Sequence, residues 1–230
     1  MHPHLVAISN LWQADVACDR LRIEHEGLNA AVVKATSTLT NATAARDSAV
    51  SARDAVKQED RKNGRELDDY VKKRNTTRAM IEGGTSPDYE ASVRQLAQVL
   101  EIVDRLETRG LELIESLEAA EAAVVATNKA LVAATAALAD ARKALALRDG
   151  PIRTELGAAL LVRAEMAKHI DEDYRIPYGE LRRKKRVALV NVADGICTTC
   201  HSMVTAQRIN EVVIGKAVNT CPGCGGYLLP

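Results

Sequence analysis

Two Cys-x-x-Cys pairs, Cys197/Cys200 and Cys221/Cys224, stand twenty residues apart and hold four of the chain's five cysteines. A short Cys-x-x-Cys turn lets two thiolates reach one ion, and a second such turn completes the tetrahedral set that Zn2+ prefers. Pro222 follows the third cysteine and Gly225 the fourth, where glycine permits the tight turn that brings backbone amides toward sulfur. His201 holds the corresponding place in the first loop and reads as a neighbour of the site, with four thiols already present. The expectation is one structural Zn2+ on Cys197, Cys200, Cys221 and Cys224. A closed four-thiolate site has no open position for water, which disfavours metal-assisted hydrolysis. Dithiol redox chemistry is the rival reading, but it calls for one pair at a helix N-terminus in a βαβ setting. The remaining cysteine, Cys18, reads as a small apolar filler.

A metal clip needs a scaffold, and composition describes an unusual one. The 230 residues contain no Phe, one Trp and five Tyr, too few large side chains for a thick core. Between Pro3 and Pro151 the single proline is Pro87, inside the turn-like GGTSPDY of residues 83–89. On its C-terminal side Val99, Val103, Leu106, Gly110, Leu113, Leu117, Ala120, Val124, Thr127, Leu131, Ala134, Leu138, Ala141 and Leu145 alternate four and three residues apart. That spacing is a coiled-coil seam. On its N-terminal side Leu21, Leu28, Val32, Ala35, Leu39, Ala42, Ala45, Ala49, Ala52 and Val56 follow a less regular version. Folding about the turn makes partner positions sum to about 170, which sets Ala-rich 30–56 against Ala-rich 140–114 and allows close helix approach. Two arms of roughly 75 residues make a rod of about 110 Å.

The expected fold is therefore mainly α: a long, kinked antiparallel helical hairpin with a small C-terminal zinc ribbon of short strands. Residues 1–186 are assigned to the coiled-coil hairpin, with its turn near 83–88 and a break near 149–151. The break follows from Pro151, which lacks a backbone donor and disfavours helical geometry at Gly150; helix should resume over 152–174. Residues 187–230 are assigned to the ribbon, with a strand over 187–192, a turn at Asp194-Gly195 and a further strand before the second cysteine pair.

Charges balance at 31 basic and 31 acidic residues, so only local clusters argue for a charged partner. The charge-dense stretch 57–82 reads as a solvated face where the seam weakens. Arg182, Arg183, Lys184, Lys185 and Arg186 place five cations just before the ribbon, a candidate contact for a nucleic acid or protein. No leader-like start is visible and no stretch approaches the roughly 18 apolar residues of a span, so the expected location is cytoplasmic with no membrane partner. No nucleophile and base pair, phosphate loop or small-molecule site is recognisable, so no enzymatic activity is expected.

The segments Tyr178-Gly179-Glu180-Leu181-Arg182-Arg183, Val190-Asn191-Val192, Gly195-Ile196-Cys197-Thr198-Thr199-Cys200, Gln207-Arg208-Ile209-Asn210-Glu211 and Cys221-Pro222-Gly223-Cys224-Gly225 resemble a bacterial family. Its members are coiled-coil hairpins ending in a C4-type zinc ribbon, among them a flagellar regulator and a chlamydial protein that binds sigma-54. The resemblance covers roughly 174–229 specifically and the hairpin in architecture. It implies zinc on the four cysteines, a non-enzymatic adaptor role, and a protein partner such as a sigma factor or secretion component. Messenger RNA is a further partner of the family, and RNA or DNA binding through 182–186 is the alternative function. Gly226 stands where the family often has Arg, and Thr199 where Gly is common.

Overall fold

A computed structural model describes residues 1–184 and 186–230. In chain order the elements are α1 (Pro3–Glu82), α2 (Tyr89–Lys168), α3 (Glu172–Arg183), β1 (Leu189–Val190), β2 (Val192–Ala193), β3 (Ile196–Cys197), α4 (Ala206–Val213) and β4 (Tyr227–Leu228). The expected class, a mainly helical hairpin with a small C-terminal ribbon of strands, is what these elements form. Compactness divides the chain into one unit of Met1–Ala31 with Arg142–Pro230, and another of Val32–Ala141. The ribbon therefore shares its unit with both ends of the helical pair.

In the second unit, α1 and α2 run antiparallel through a turn over 83–88. Gly84 adopts φ +63°, a conformation glycine takes without penalty. Asp88 caps α2 by accepting the Ala91 amide at 3.0 Å. Cross-pairs fix the register near the expected sum of 170: Arg109 donates to Glu59 at 3.0 Å and Asn63 to the Leu106 carbonyl at 3.0 Å.

Every expected seam position of α2 from Val99 to Leu145 is buried or half-buried, and of the other residues in that span only Ile102 is also covered. On α1 the expected positions Ala49 and Val56 are half-buried, and the seam differs from expectation at Ala45 and Ala52. Ala45 and Ala52 are exposed, and the covered positions run through Arg46, Ala49, Arg53, Val56, Asp60, Asn63, Leu67, Tyr70, Arg74, Thr77 and Ile81. The alternation is intact but passes through polar residues, because arginine stems cover apolar surface while their heads reach water. The seam consequently does not weaken through the charge-dense 57–82. Asn63 faces Gly110, where an added Cβ would lie 3.4 Å from its amide nitrogen. Replacing Asn63 with Ala should lower urea stability by about 1 kcal/mol, the usual net value of one such hydrogen bond.

The expected break at 149–151 is not there: α2 continues through Pro151 to Lys168. Two features accommodate the proline. Gly150 has no Cβ to meet the ring, which relieves the restriction on the preceding residue. Arg148 also binds Glu24 of α1 at 2.6 Å and Glu155 at 2.7 Å, one carboxylate on α1 and one beyond the proline. The helix stops instead at residues 169–171, where Ile170 is buried and Asp171 takes extended geometry ahead of α3.

The expectation about apolar stretches also needs correction. The helix Tyr89–Lys168 contains an 18-residue window of mean hydropathy 1.5 with at most two charges, long and apolar enough by composition to cross a membrane. Alanine produces this value, and only 11% of the window is buried.

In the first unit the core joins Leu5, Ile8 and Leu11 of α1 with Tyr178 and Leu181 of α3 and Leu189, Val190, Val212 and Leu228 of the ribbon. The N-terminal apolar residues thus cover the ribbon's inner face. The ribbon is two small sheets: β1 pairs parallel with β4, and β2 antiparallel with β3. Asp194 and Gly195 both take positive φ, 51° and 77°, the geometry of a two-residue hairpin turn. The strand expected over 187–192 appears as two short pieces because β1 and β2 serve different partners. The segment between the cysteine pairs carries α4, where a strand had been expected; near its end Thr220 makes only an isolated bridge, to Tyr227.

Candidate metal centre and the network beneath it

The two cysteine loops have the same backbone design. In each, the residue after the second cysteine donates its amide to the carbonyl of the first: His201 to Cys197 and Gly225 to Cys221, both at 2.9 Å. Each donor sits at positive φ, 59° for His201 and 77° for Gly225. His201 is thus the counterpart of Gly225 in conformation, held by the turn, with an exposed side chain. Replacing His201 with Gly should raise ribbon stability by about 1 kcal/mol, and Gly225 with Ala should lower it by about 1–2 kcal/mol, measured by thermal melts.

All four sulfurs lie within 4.8 Å of one another. The separations Cys200 to Cys221 and Cys197 to Cys224 are 3.4 and 3.9 Å. A tetrahedron with metal to sulfur bonds of about 2.3 Å has edges of about 3.8 Å, so the donor set fits a thiolate-bound ion. Neither separation approaches the roughly 2.05 Å of a disulfide. Hydrogen bonds from the Ser202 hydroxyl and amide draw the Cys200 thiol down to about 6, while burial pushes Cys224 up to about 12. Gly223 is required here, because a Cβ would come within 2.0 Å of the Ser202 hydroxyl.

α4 explains one segment that sequence reasoning had noted only by resemblance. Gln207 donates to Glu211 at 3.0 Å, and Asn219 donates to Glu211 at 2.9 Å and to the Arg208 carbonyl at 3.2 Å. Arg208 in turn donates to the Thr220 carbonyl at 3.1 Å. These bonds fix residues 219–220, which lead directly into Cys221. The asparagine hydrogen bond, then that of Gln207, holds the Glu211 carboxyl below its ordinary value.

Under the ribbon lies a polar network that single-sequence reading missed. Asp15 of α1, 4% exposed, accepts from the Tyr178 hydroxyl at 2.6 Å and from Arg163 of α2 at 2.5 Å. Arg182 comes to 3.5 Å from the Asp15 oxygen that accepts from Tyr178, binds Asp19, and lies 5.1 Å over the Trp12 ring. Tyr178 and Arg182 are one helical turn apart, so both reach the same face of α1. The signal was available as a four-residue spacing in Tyr178-Gly179-Glu180-Leu181-Arg182, but its carboxylate partners are more than 160 residues away. Burial, then the Asp15 hydrogen bond, raises the Tyr178 hydroxyl well above its ordinary range. Cys18 is 1% exposed, and burial raises its thiol, as expected of a filler.

Of the basic run, Arg182 is engaged in this network, while Arg183, Lys184 and Arg186 are exposed. Lys185 lies outside the described residues. Tyr227 is 2% exposed and donates its hydroxyl to the Tyr174 carbonyl at 2.8 Å, so its ring is unavailable to a base. Gly226 is buried, and a Cβ there would come within 2.8 Å of Val190. Arginine could not occupy this position without displacing β1.

A helical hairpin joined to a small strand region with a four-cysteine cluster defines the class: the fold of the coiled-coil and zinc-ribbon proteins. Two solved structures share it over nearly their full lengths. One is HP0958 from Helicobacter pylori CCUG 17874, at TM-score 0.69 and 15% identity, covering 100% of this chain and 98% of that one. The other is CT398 from Chlamydia trachomatis, at TM-score 0.69 and 16% identity, covering 98% and 97%. A structure from Mycobacterium smegmatis matches at TM-score 0.56 and 16% identity over 100% and 99%. No family model and no curated protein sequence matches the chain.

Proposed function

We propose that the protein is a non-enzymatic cytoplasmic adaptor in which the helical hairpin carries a structural zinc ribbon to a protein partner. Cys197, Cys200, Cys221 and Cys224 hold one Zn2+ in this reading, and the ion folds the ribbon. The observation that carries it is the closed arrangement of the four sulfurs. The groups most suited to chemistry, Asp15, Tyr178 and Cys18, are buried, and Asp15 and Tyr178 are already bonded to structural partners. By resemblance, the partner class is a sigma factor or a secretion component. A photoreactive amino acid at exposed Met203 or Thr199, crosslinked in the native cell, should join the ribbon to a protein. Absence of any crosslinked protein at both positions and at the exposed cations would count against an adaptor.

The second reading is RNA or DNA binding, favoured by the adjacent exposed Arg183 and Lys184 with Arg186. Titration of labelled RNA and DNA at low salt tests it. Binding should weaken on replacing Arg183, Lys184, Lys185 and Arg186 with Ala, whereas Arg182 should affect folding instead.

A further inference from the structure

In the second unit, α2 carries an apolar face that its pairing with α1 leaves open. Leu111, Ile114, Val125 and Val132 are 66%, 51%, 55% and 70% exposed. Successive helical residues advance about 100°, which places Leu111, Val125 and Val132 about a third of a turn from the seam, with Ile114 on the flank nearer to it. It coincides with a stretch almost free of charge: residues 122–139 contain one charged side chain, Lys129.

The order of residues on this face constrains what can cover it. Leu111, Glu115, Glu118, Ala122, Val125, Lys129, Val132 and Ala136 alternate four and three apart, and all are exposed. Reversed about the midpoint between 123 and 124, the set maps onto itself. Leu111 then meets Ala136, Glu115 meets Val132, Glu118 meets Lys129 and Ala122 meets Val125. The register sets the stretch's sole cation against a carboxylate, twice by symmetry, and neither Glu118 nor Lys129 makes an ion pair among the described residues. Valine meets alanine at the centre, which permits close approach.

We propose that this face binds a second copy of the chain, α2 against α2, antiparallel about a two-fold axis beside residues 123 and 124. A two-fold contact must use one self-complementary patch, and this arrangement supplies one. The contact spans about 39 Å of helix and a width of about 10 Å. That is about 400 Å² per partner and about 800 Å² in total, below the ~1,000 Å² that a stable specific interface needs, so the dimer is weak and reversible.

Sedimentation velocity of the intact protein from about 1 to 200 μM should show a monomer giving way to a dimer, the range for micromolar association. Glu118→Lys should weaken dimerisation about tenfold, by replacing two attractive pairs with two repulsive ones. Lys129→Glu should do the same, and the double variant should restore the wild-type constant. Circular dichroism of each variant checks that the helices remain intact. A monomer at every concentration overturns the proposal, and cosedimentation of that monomer with anionic vesicles would assign the face to lipid instead. A dimer indifferent to Glu118→Lys also overturns it, because in a parallel pair Glu118 would face Glu118.

Discussion

Chelation of the Zn2+ proposed at the four cysteines should unfold the ribbon and loosen the helical residues that cover it, while the hairpin over 32–141 keeps its helix. Structural zinc contributes on the order of 10 kcal/mol in small zinc-dependent folds, more than the few short strands here can replace. The strands are two residues each, and the cysteine loops close on their own backbone, the Cys221 amide on the Gly226 carbonyl at 2.8 Å and the Cys197 amide on the Ser202 carbonyl at 2.9 Å. Loss of the ion should therefore be read as proteolytic cleavage over 187–230, with a smaller fall in helical signal. The helical part of the loss falls on α3 and the first residues of α1, since Leu5, Ile8 and Leu11 share one core with Val190, Val212 and Leu228. Cys197→Ser should reproduce the effect with metal present, and metal content should drop from one ion per chain to none. A chelated protein with an unchanged cleavage pattern would contradict the assignment.

Replacing Asp15 with Ala should be the most damaging single change outside the ribbon, costing about 3–5 kcal/mol. The carboxylate is almost fully buried and serves Tyr178, Arg163 and Arg182 together. Removing it leaves the Tyr178 hydroxyl buried without its acceptor and Arg163 without its carboxylate, while Arg182 keeps only Asp19. In a chain of this size the melting temperature should fall by roughly 10 °C, read by the near-ultraviolet signal of Trp12 beside Arg182. Asp15→Asn should fall between wild type and Ala, since it keeps an acceptor and loses the charge. Tyr178→Phe should be milder, about 1–2 kcal/mol, because it removes one bond and keeps the packing.

These results show which parts of the protein its sequence could disclose. The α2 seam was legible because its residues are leucine, valine and alanine at uninterrupted spacing. The α1 seam was legible except at Ala45 and Ala52, apolar alanines that lie one residue from the covered arginines at 46 and 53, and in its continuation past Val56. A count of apolar letters cannot see an aliphatic stem. Pro151 misled because its effect depends on the glycine before it and on Arg148, which joins Glu24 across the hairpin and Glu155 beyond the proline. The sulfur cluster was legible because all its ligands come from two short loops. The Asp15 network was not, because it joins α1 to α2 and α3, and no local spacing announces such a meeting. The cations at 182–186 formed one class as a string of letters, but side-chain direction separates Arg182 from its neighbours.

The polar residues within the α1 seam also govern what happens while the chain is being made. α1 leaves the ribosome before its partner helix exists, and a long helix with an apolar stripe would pair with a neighbouring copy of itself. In an α1 pair the stems of Arg46, Arg53 and Arg74 would meet like-charged copies, and buried Asn63 would lack the carbonyl of Leu106 and the gap at Gly110 that receive it. The helix is thus a poor partner for itself and a good one for α2, so nascent chains are steered toward folding back within one molecule.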